Sequence, residues 1–342
     1  MNELHSGFHQ LGHSGLKVSR LCLGTMMFGK QTDEATSRRI IDQAFEQGVN
    51  FIDTANVYNG GASEEVVGRA IAERRDDWVV ATKVGSPMGD QSLPHRRGLS
   101  RKHMHKSVHD SLARMGTDHI DLLYLHREDH DTPVEEYVAT LGDLIRHGLV
   151  RHFGISNHRG WKTAEIVRAC DQLGVDRPIA TQPLYNAVNR QAEQEVFTAA
   201  EHFDMAVVPY SPLARGVLTG KYAPGEKPGA DTRAGHQDKR MMETEWREES
   251  LVVAQKIADH ARSRDIEPAE FALAWVMNND LVTSAIVGPR TEAHWDSYIR
   301  ALDIELTEED EALVDSLITP GHASTPGFND PAHFVSGRYP RS

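Results

Sequence analysis

Val49-Asn50-Phe51-Ile52-Asp53-Thr54-Ala55-Asn56-Val57-Tyr58 reads as a short buried strand that ends at a carboxylate, followed by a loop that carries a phenol. Gly48 stands before it as a stop, and the apolar residues fit a strand covered on both faces. Two later strands end the same way. Trp78–Lys83 closes on an ammonium and Ile120–His126 on an imidazole. Titratable groups at the exits of successive strands point to one cluster, with the remaining chain as its scaffold.

Working outward, the period switches repeatedly between two and 3.6 residues. Residues 8–18 fit a hairpin, and Ser19–Thr25 a strand. From Asp33, Ile40, Ile41, Ala44 and Phe45 form one helical stripe. Ser63, followed by Glu64 and Glu65, reads as the cap of a helix ending near Arg74. Ser100 opens a helix with the stripe Met104, Val108, Leu112 and Met115, and Gly116 lies just past its end. Thr132-Pro133-Val134-Glu135 reads as a capping box with proline at the first helical position. Strands are expected at 150–155, 178–182, 205–209 and 281–287, and helices at 160–172, 190–202, 244–263, 268–278, 291–301 and 308–318, the last capped by Thr307. Segment 212–242 has no period and reads as a functional loop. This is eight strand–helix alternations without a Gly-x-Gly-x-x-Gly turn. The expected fold is therefore α/β, a closed (β/α)8 barrel with an N-terminal hairpin and extra helices after strand 7 and at the C-terminus, rather than an open doubly wound sheet. One barrel domain is expected over residues 1–342, with tail 320–342 folded over the mouth on Phe328, Phe334 and Tyr339. In such a barrel the strand C-termini form the active face, and Asp53, Lys83, His126, Ser156-Asn157, Gln182, Tyr210-Ser211 and Gly288–Arg290 all fall there.

The chain has 342 residues and a net charge of −13. That balance argues against nucleic acid or an anionic membrane as a partner. No apolar run is long enough for a membrane span, and the N-terminus lacks the apolar core of a signal peptide. Cys22 and Cys170 read as packed thiols in a reducing, cytoplasmic compartment. No feature sets an oligomeric state.

The chemistry of the cluster suits carbonyl reduction. A phenol titrates near 10, and a neighbouring ammonium pulls it down. Lys83 is expected to be that ammonium, Asp53 its buried ion partner and Tyr58 the general acid. His126 is placed to orient the carbonyl oxygen. No side chain supplies a hydride, so a nicotinamide or flavin is required. Other signals have plainer readings. Gly24–Lys30 matches Gly-x-x-x-x-Gly-Lys, but Gln31 follows where a P-loop needs Ser or Thr. His103, His105 and His109, and His126 with Asp129 and His130, fall short of a metal set, so no metal is expected. Trp161 and Phe203 are expected in barrel–helix packing.

With these residues in hand, the chain resembles the aldo-keto reductases, NAD(P)H-dependent carbonyl reductases on a (β/α)8 barrel. The likeness rests on Asn50–Ala55 with Tyr58, Ala81-Thr82-Lys83, Leu125-His126, Gly154–Asn157, Gln182, Tyr210–Leu213, Gly216–Tyr222 and Val287-Gly288, in family order from about residue 8 to 318. The family tetrad falls on Asp53, Tyr58, Lys83 and His126. The resemblance implies NADPH, with NADH less favoured, and a small-molecule carbonyl substrate. It puts Tyr210 under the nicotinamide and Ser156, Asn157 and Gln182 on the carboxamide, and it implies that Gly24, Thr25, Met26 and Asp53 also contact the cofactor. Ser211, Leu213, Arg215 and Lys221 would line the pyrophosphate, and Pro212 and Gly216 would also contact the cofactor. Val287 and Gly288 would also contact the cofactor, and Arg290 would face the adenosine 2′-phosphate. Independently, the last two strands of a barrel and a helix N-terminus form the usual phosphate site. The departure is further along, where His294, Ser297 and Tyr298 replace the Gln, Glu and Asn of many relatives at the adenine edge. The alternative function is a cofactor-binding regulatory subunit like the potassium-channel β subunits. That reading wants an N-terminal inactivation segment, and only a handful of residues precede the hairpin.

Overall fold

A computed structural model describes residues 7–90, 93 and 95–331. Two antiparallel strands, β1 (His9–Gln10) and β2 (Lys17–Val18), form the N-terminal hairpin. Eight parallel strands follow: β3 (Leu21–Gly24), β4 (Phe51–Asp53), β5 (Val79–Val84), β6 (Ile120–Leu125), β7 (Val150–Ser156), β8 (Ala180–Gln182), β9 (Ala206–Val207) and β10 (Ala285–Val287). Their order in the sheet is β10-β3-β4-β5-β6-β7-β8-β9. The ring closes because Thr283 N donates to Val207 O and Ile286 N to Pro209 O, each at 2.9 Å. The fold is the expected (β/α)8 barrel, with extra helices after the seventh barrel strand (β9) and at the C-terminal end.

The pleat explains why the candidate residues converge. Side chains alternate between the barrel axis and the helical layer. Leu21, Leu23, Ile52, Val80, Leu123 and Leu125 pack outward in the large core between sheet and helices. Cys22, Phe51, Ala81, Tyr124, Ala180 and Val208 fill the interior, and Leu11 and Val18 of the hairpin plug its base. Stepping by two from those interior residues reaches Asp53, Lys83, His126, Gln182 and Tyr210. Each therefore points inward at the carboxyl end of its strand, where the packed interior gives way to a cavity.

Several local expectations give way to tertiary contacts. The helix Ala62–Ile71 is preceded by Gly61 at φ 104°. Ser63 lies inside its first turn and hydrogen-bonds Thr25 O at 2.8 Å instead of capping. Pro133, not Thr132, precedes the helix Val134–Arg146. The Thr132 hydroxyl donates to Asp129 Oδ2 at 2.7 Å, so no capping box forms there. Thr307 does form one, with Asp310. The helix expected at 190–202 breaks into a 3₁₀ turn, Gln191–Glu193, and a helix, Val196–His202. Trp161 is half exposed rather than packed. A short helix, Lys239–Thr244, begins inside the segment 212–242 expected to be irregular and runs past its end. Of the tail anchors, Phe328 lies under the Arg247 guanidinium at 3.7 Å, while Phe334 and Tyr339 lie outside the described residues. No helix among the described residues is long and apolar enough to cross a membrane. Both cysteines are free and buried.

Candidate active site

The cluster begins with a buried ion pair. Lys83 Nζ donates to Asp53 Oδ1 and, at 2.8 Å, to Thr54 O. Asp53 Oδ2 accepts from Gln182 Nε2 at 2.9 Å. The Lys83 ammonium also acts on the Tyr58 hydroxyl through charge and as a hydrogen-bond donor. It lies 4.8 Å from the centre of the Tyr58 ring. The Tyr58 and His126 rings meet edge to face, 6.2 Å between centres. All four expected tetrad residues are thus brought together.

The loop that delivers Tyr58 is fixed by its own sequence. Asn59 takes the left-handed region at φ 51°, which asparagine tolerates, and Gly60 and Gly61 follow with positive φ. The Asn59 amide donates to Met26 O at 3.0 Å and Phe28 O at 2.8 Å, tying this loop to the one after β3. Sequence reading passed over Asn59, although Asn-Gly-Gly directly after the tyrosine is a turn signal.

Protonation follows from burial and neighbours. Burial works against the Lys83 ammonium, but the charges and hydrogen bonds of Asp53 and Tyr58 outweigh it, so it titrates above the ordinary lysine range. Burial lifts the Asp53 carboxyl despite Lys83. Tyr58 differs from the expectation. Its phenol is raised, because burial outweighs the pull of Lys83 and the Asp53 carboxylate cancels part of that pull. The tyrosine is a proton carrier at neutral pH, not a phenolate. Burial first, then Lys83 and Arg127, hold His126 well below the ordinary histidine value, so it is a neutral imidazole. Its Nδ1 is buried with no hydrogen-bond partner among the described residues.

These groups open into a cavity of about 1030 Å³. Every residue expected to touch a cofactor lines it, from Gly24, Thr25 and Met26 to His294 and Tyr298. Lys83 does not line it and stands behind Asp53 and Tyr58. Ser156 Oγ donates to Gln182 O at 2.8 Å. Asn157 donates to His126 O at 3.0 Å and accepts from the Tyr210 hydroxyl at 2.8 Å. Tyr210 is therefore held to the strand that carries the imidazole. Among the described residues, five of the eight non-glycine residues with left-handed backbone are Asn59, Asn157, Ser211, Ala214 and Arg215, all in or beside this cavity. Backbone strain of that kind collects at binding sites. Gly216 continues the run at φ 100°, and a Cβ there would stand 2.8 Å from Lys221 Nζ, so glycine lets the lysine fold across the loop.

At the β9–β10 end the walls are cationic. Arg215 is held by Glu245, Nε to Oε2 at 3.0 Å. Lys221, Arg233 and Arg290 have no carboxylate partner within salt-bridge distance among the described residues. Burial and the charges of Arg290 and Arg233 hold Lys221 below its ordinary value. Partial desolvation, Arg290 and Lys221 do the same to His294. Burial pushes Tyr298 up to about 12 against the charges of Arg233 and Arg290. Mutually repelling cations without anions fit phosphate groups, as the phosphates of a nicotinamide dinucleotide require. Sequence reading missed Arg233. It lies in the segment without a period, and only the clustering of cations in space reveals it. Asp129, weighed as a metal ligand, is spent on Leu99 N, Asp131 N and Thr132. No group of three His, Cys, Asp or Glu residues converges for a metal among the described residues.

Fold and site together define a barrel oxidoreductase with a cluster of buried titratable side chains at the strand exits. The aldo/keto reductase family model matches residues 20–319, and the chain belongs to that family. The family generally uses NAD(P)H and acts on small-molecule carbonyl compounds. The chain is 35% identical over 325 residues to an uncharacterized oxidoreductase of Bacillus subtilis, YrpG, covering 92% of this chain and 97% of the relative. It is 34% identical over 320 residues to an Oryza sativa protein named "Probable voltage-gated potassium channel subunit beta", covering 90% and 97%. It is 30% identical over 326 residues to a Saccharomyces cerevisiae protein that carries the name of an aryl-alcohol dehydrogenase, covering 88% and 94%.

Proposed function

We propose that the protein reduces an aldehyde or ketone to an alcohol with NADPH, reversibly, and that Asp53, Tyr58, Lys83 and His126 carry the chemistry. The observation that carries this reading is the buried Lys83–Asp53 pair set against the Tyr58 phenol on the floor of a cavity whose far end holds unpaired cations. The nicotinamide, when bound, supplies the hydride. Tyr58 is protonated through neutral pH and gives its proton to the carbonyl oxygen as that oxygen gains alkoxide character. The Lys83 ammonium, kept charged by Asp53, steadies the phenolate left behind. His126, a neutral imidazole, hydrogen-bonds the same oxygen and aims the carbonyl. Tyr210, Ser156, Asn157 and Gln182 would hold the nicotinamide end.

The preference for NADPH rests on charge. The pyrophosphate of a dinucleotide brings two negative charges, and Arg215 already has Glu245. Lys221, Arg233 and Arg290 then exceed the pyrophosphate by one, which suits a 2′-phosphate. The free, buried cysteines support a reducing, cytoplasmic setting. The likeness to the Oryza sativa protein favours one second reading, a cofactor-binding channel subunit. NADPH absorbance followed with a panel of aldehydes and ketones, 4-nitrobenzaldehyde among them, separates the two. Turnover without any partner, faster with NADPH than with NADH, is expected. No turnover with any carbonyl compound would overturn the reductase reading.

A further inference from the structure

The cavity wall away from the phosphate end has charges of its own, and one of them is left over. Arg159 is held by Glu128, with Nη2 to Oε2 at 2.5 Å and Nε to Oε1 at 3.1 Å. Arg240 is held by Asp330 at 2.7 Å and Glu243 at 3.0 Å. Lys239 lies 3.8 Å from Glu243. Arg127 lines the same cavity. It is exposed, and it has no carboxylate or hydrogen-bond partner among the described residues. It follows His126 in the chain, and its charge reaches that imidazole. Both line the same cavity, at the carboxyl end of β6. In the sheet, β6 is on the far side of the ring from β9 and β10, so Arg127 is remote from the cations assigned to phosphates. Met26, Met27, Val57 and Pro331 give this end only a partial apolar wall.

We infer that Arg127 recognises an anionic group on the carbonyl substrate, a carboxylate or a phosphate monoester. The inference rests on the reductase reading above and narrows its substrate class to charged aldehydes or ketones, away from neutral aromatic ones. A net charge of −13 repels anions at long range, so a local cation on the cavity wall is needed to hold one. A guanidinium fork matches both anions with paired hydrogen bonds. Binding energy gained at such a remote group can be used to position the carbonyl under Tyr58 and His126.

The test compares kcat/KM for 4-formylbenzoate with its methyl ester, and for glycolaldehyde phosphate with glycolaldehyde, in wild type, R127M and R127K. Wild type should favour the charged member of at least one pair by about ten-fold. R127M should lose that preference and R127K keep part of it, while neutral substrates change by about two-fold or less. The pair that responds tells carboxylate from phosphate. No charge preference in wild type, or one that R127M retains, overturns the inference. A second readout needs no turnover: calorimetric binding of 4-(hydroxymethyl)benzoate and its methyl ester to the protein with NADPH. If no aldehyde is reduced, the reductase reading falls and this ratio decides alone. Acid binding about ten-fold tighter than ester, and abolished in R127M, supports Arg127 as the anion site, and equal binding overturns it.

Discussion

Replacing Lys83 with methionine removes the ammonium from a carboxylate that has little else to turn to. The two side chains are 0% and 3% exposed. Without Lys83, Asp53 keeps only the Gln182 amide at 2.9 Å among the described residues, and Thr54 O loses its ammonium donor. Stranding a buried charge in this way costs about 3–5 kcal/mol. The cost depends on pH, and the sign is fixed. Burial already raises the Asp53 carboxyl with Lys83 present, and losing Lys83 raises it further. A carboxyl whose folded value lies above its unfolded value of about 3.9 costs nothing while protonated in both states. The penalty grows as pH climbs through the folded value. Urea unfolding of Lys83→Met should therefore show a larger deficit at about pH 8 than at about pH 5. The double variant Lys83→Met/Asp53→Asn should recover most of it. A single variant as stable as wild type at the higher pH, a deficit independent of pH, or a double variant no better than the single would refute the reasoning.

Other outcomes follow from the same geometry. Carbonyl reduction should be flat through neutral pH with no histidine inflection near 6.5, because His126 is already neutral. The rate should fall only as pH rises through the Tyr58 value above 10, since the acid must be protonated to act, and a pH–rate profile reads both. Arg233→Ala should weaken NADPH binding by about ten-fold or more by fluorescence titration, and Arg290→Ala should weaken NADPH more than NADH. Gly68→Ala should cost about 1–3 kcal/mol in thermal or urea unfolding while activity per folded molecule is kept. The reason is that its Cβ would stand 2.2 Å from Met115 O, where the helices Ala62–Ile71 and Arg101–Met115 pack together.

The barrel was legible because its strands are short apolar runs between amphipathic helices, and period two then carries each strand's inward face on to the residue at its carboxyl end. Asp53, Lys83 and His126 could be placed in one cluster from that alone, since each lies on that inward face within one residue of a strand's end. Tyr58 is different. It sits five residues beyond Asp53, in a loop set by Asn59 reaching across to Met26 O and Phe28 O, and no periodicity shows that contact. The direction of the phenol's shift was also out of reach. It depends on how far burial and the Asp53 carboxylate offset Lys83, which is a matter of depth and distance. Arg233 stayed hidden because its loop has no repeating pattern, so its place beside Lys221 and Arg290 is a tertiary fact. Caps failed where a side chain had a better partner. Ser63 turned to Thr25, and Thr132 to Asp129.

The most direct measurement is steady-state NADPH oxidation by Tyr58→Phe, paired with NADPH titration of the same variant. Removing one hydroxyl leaves the ring against Lys83 and His126 and takes away only the proton. The account predicts that turnover of every carbonyl substrate falls by about 100-fold or more while NADPH affinity stays near wild type. Turnover close to wild type in that variant would contradict it.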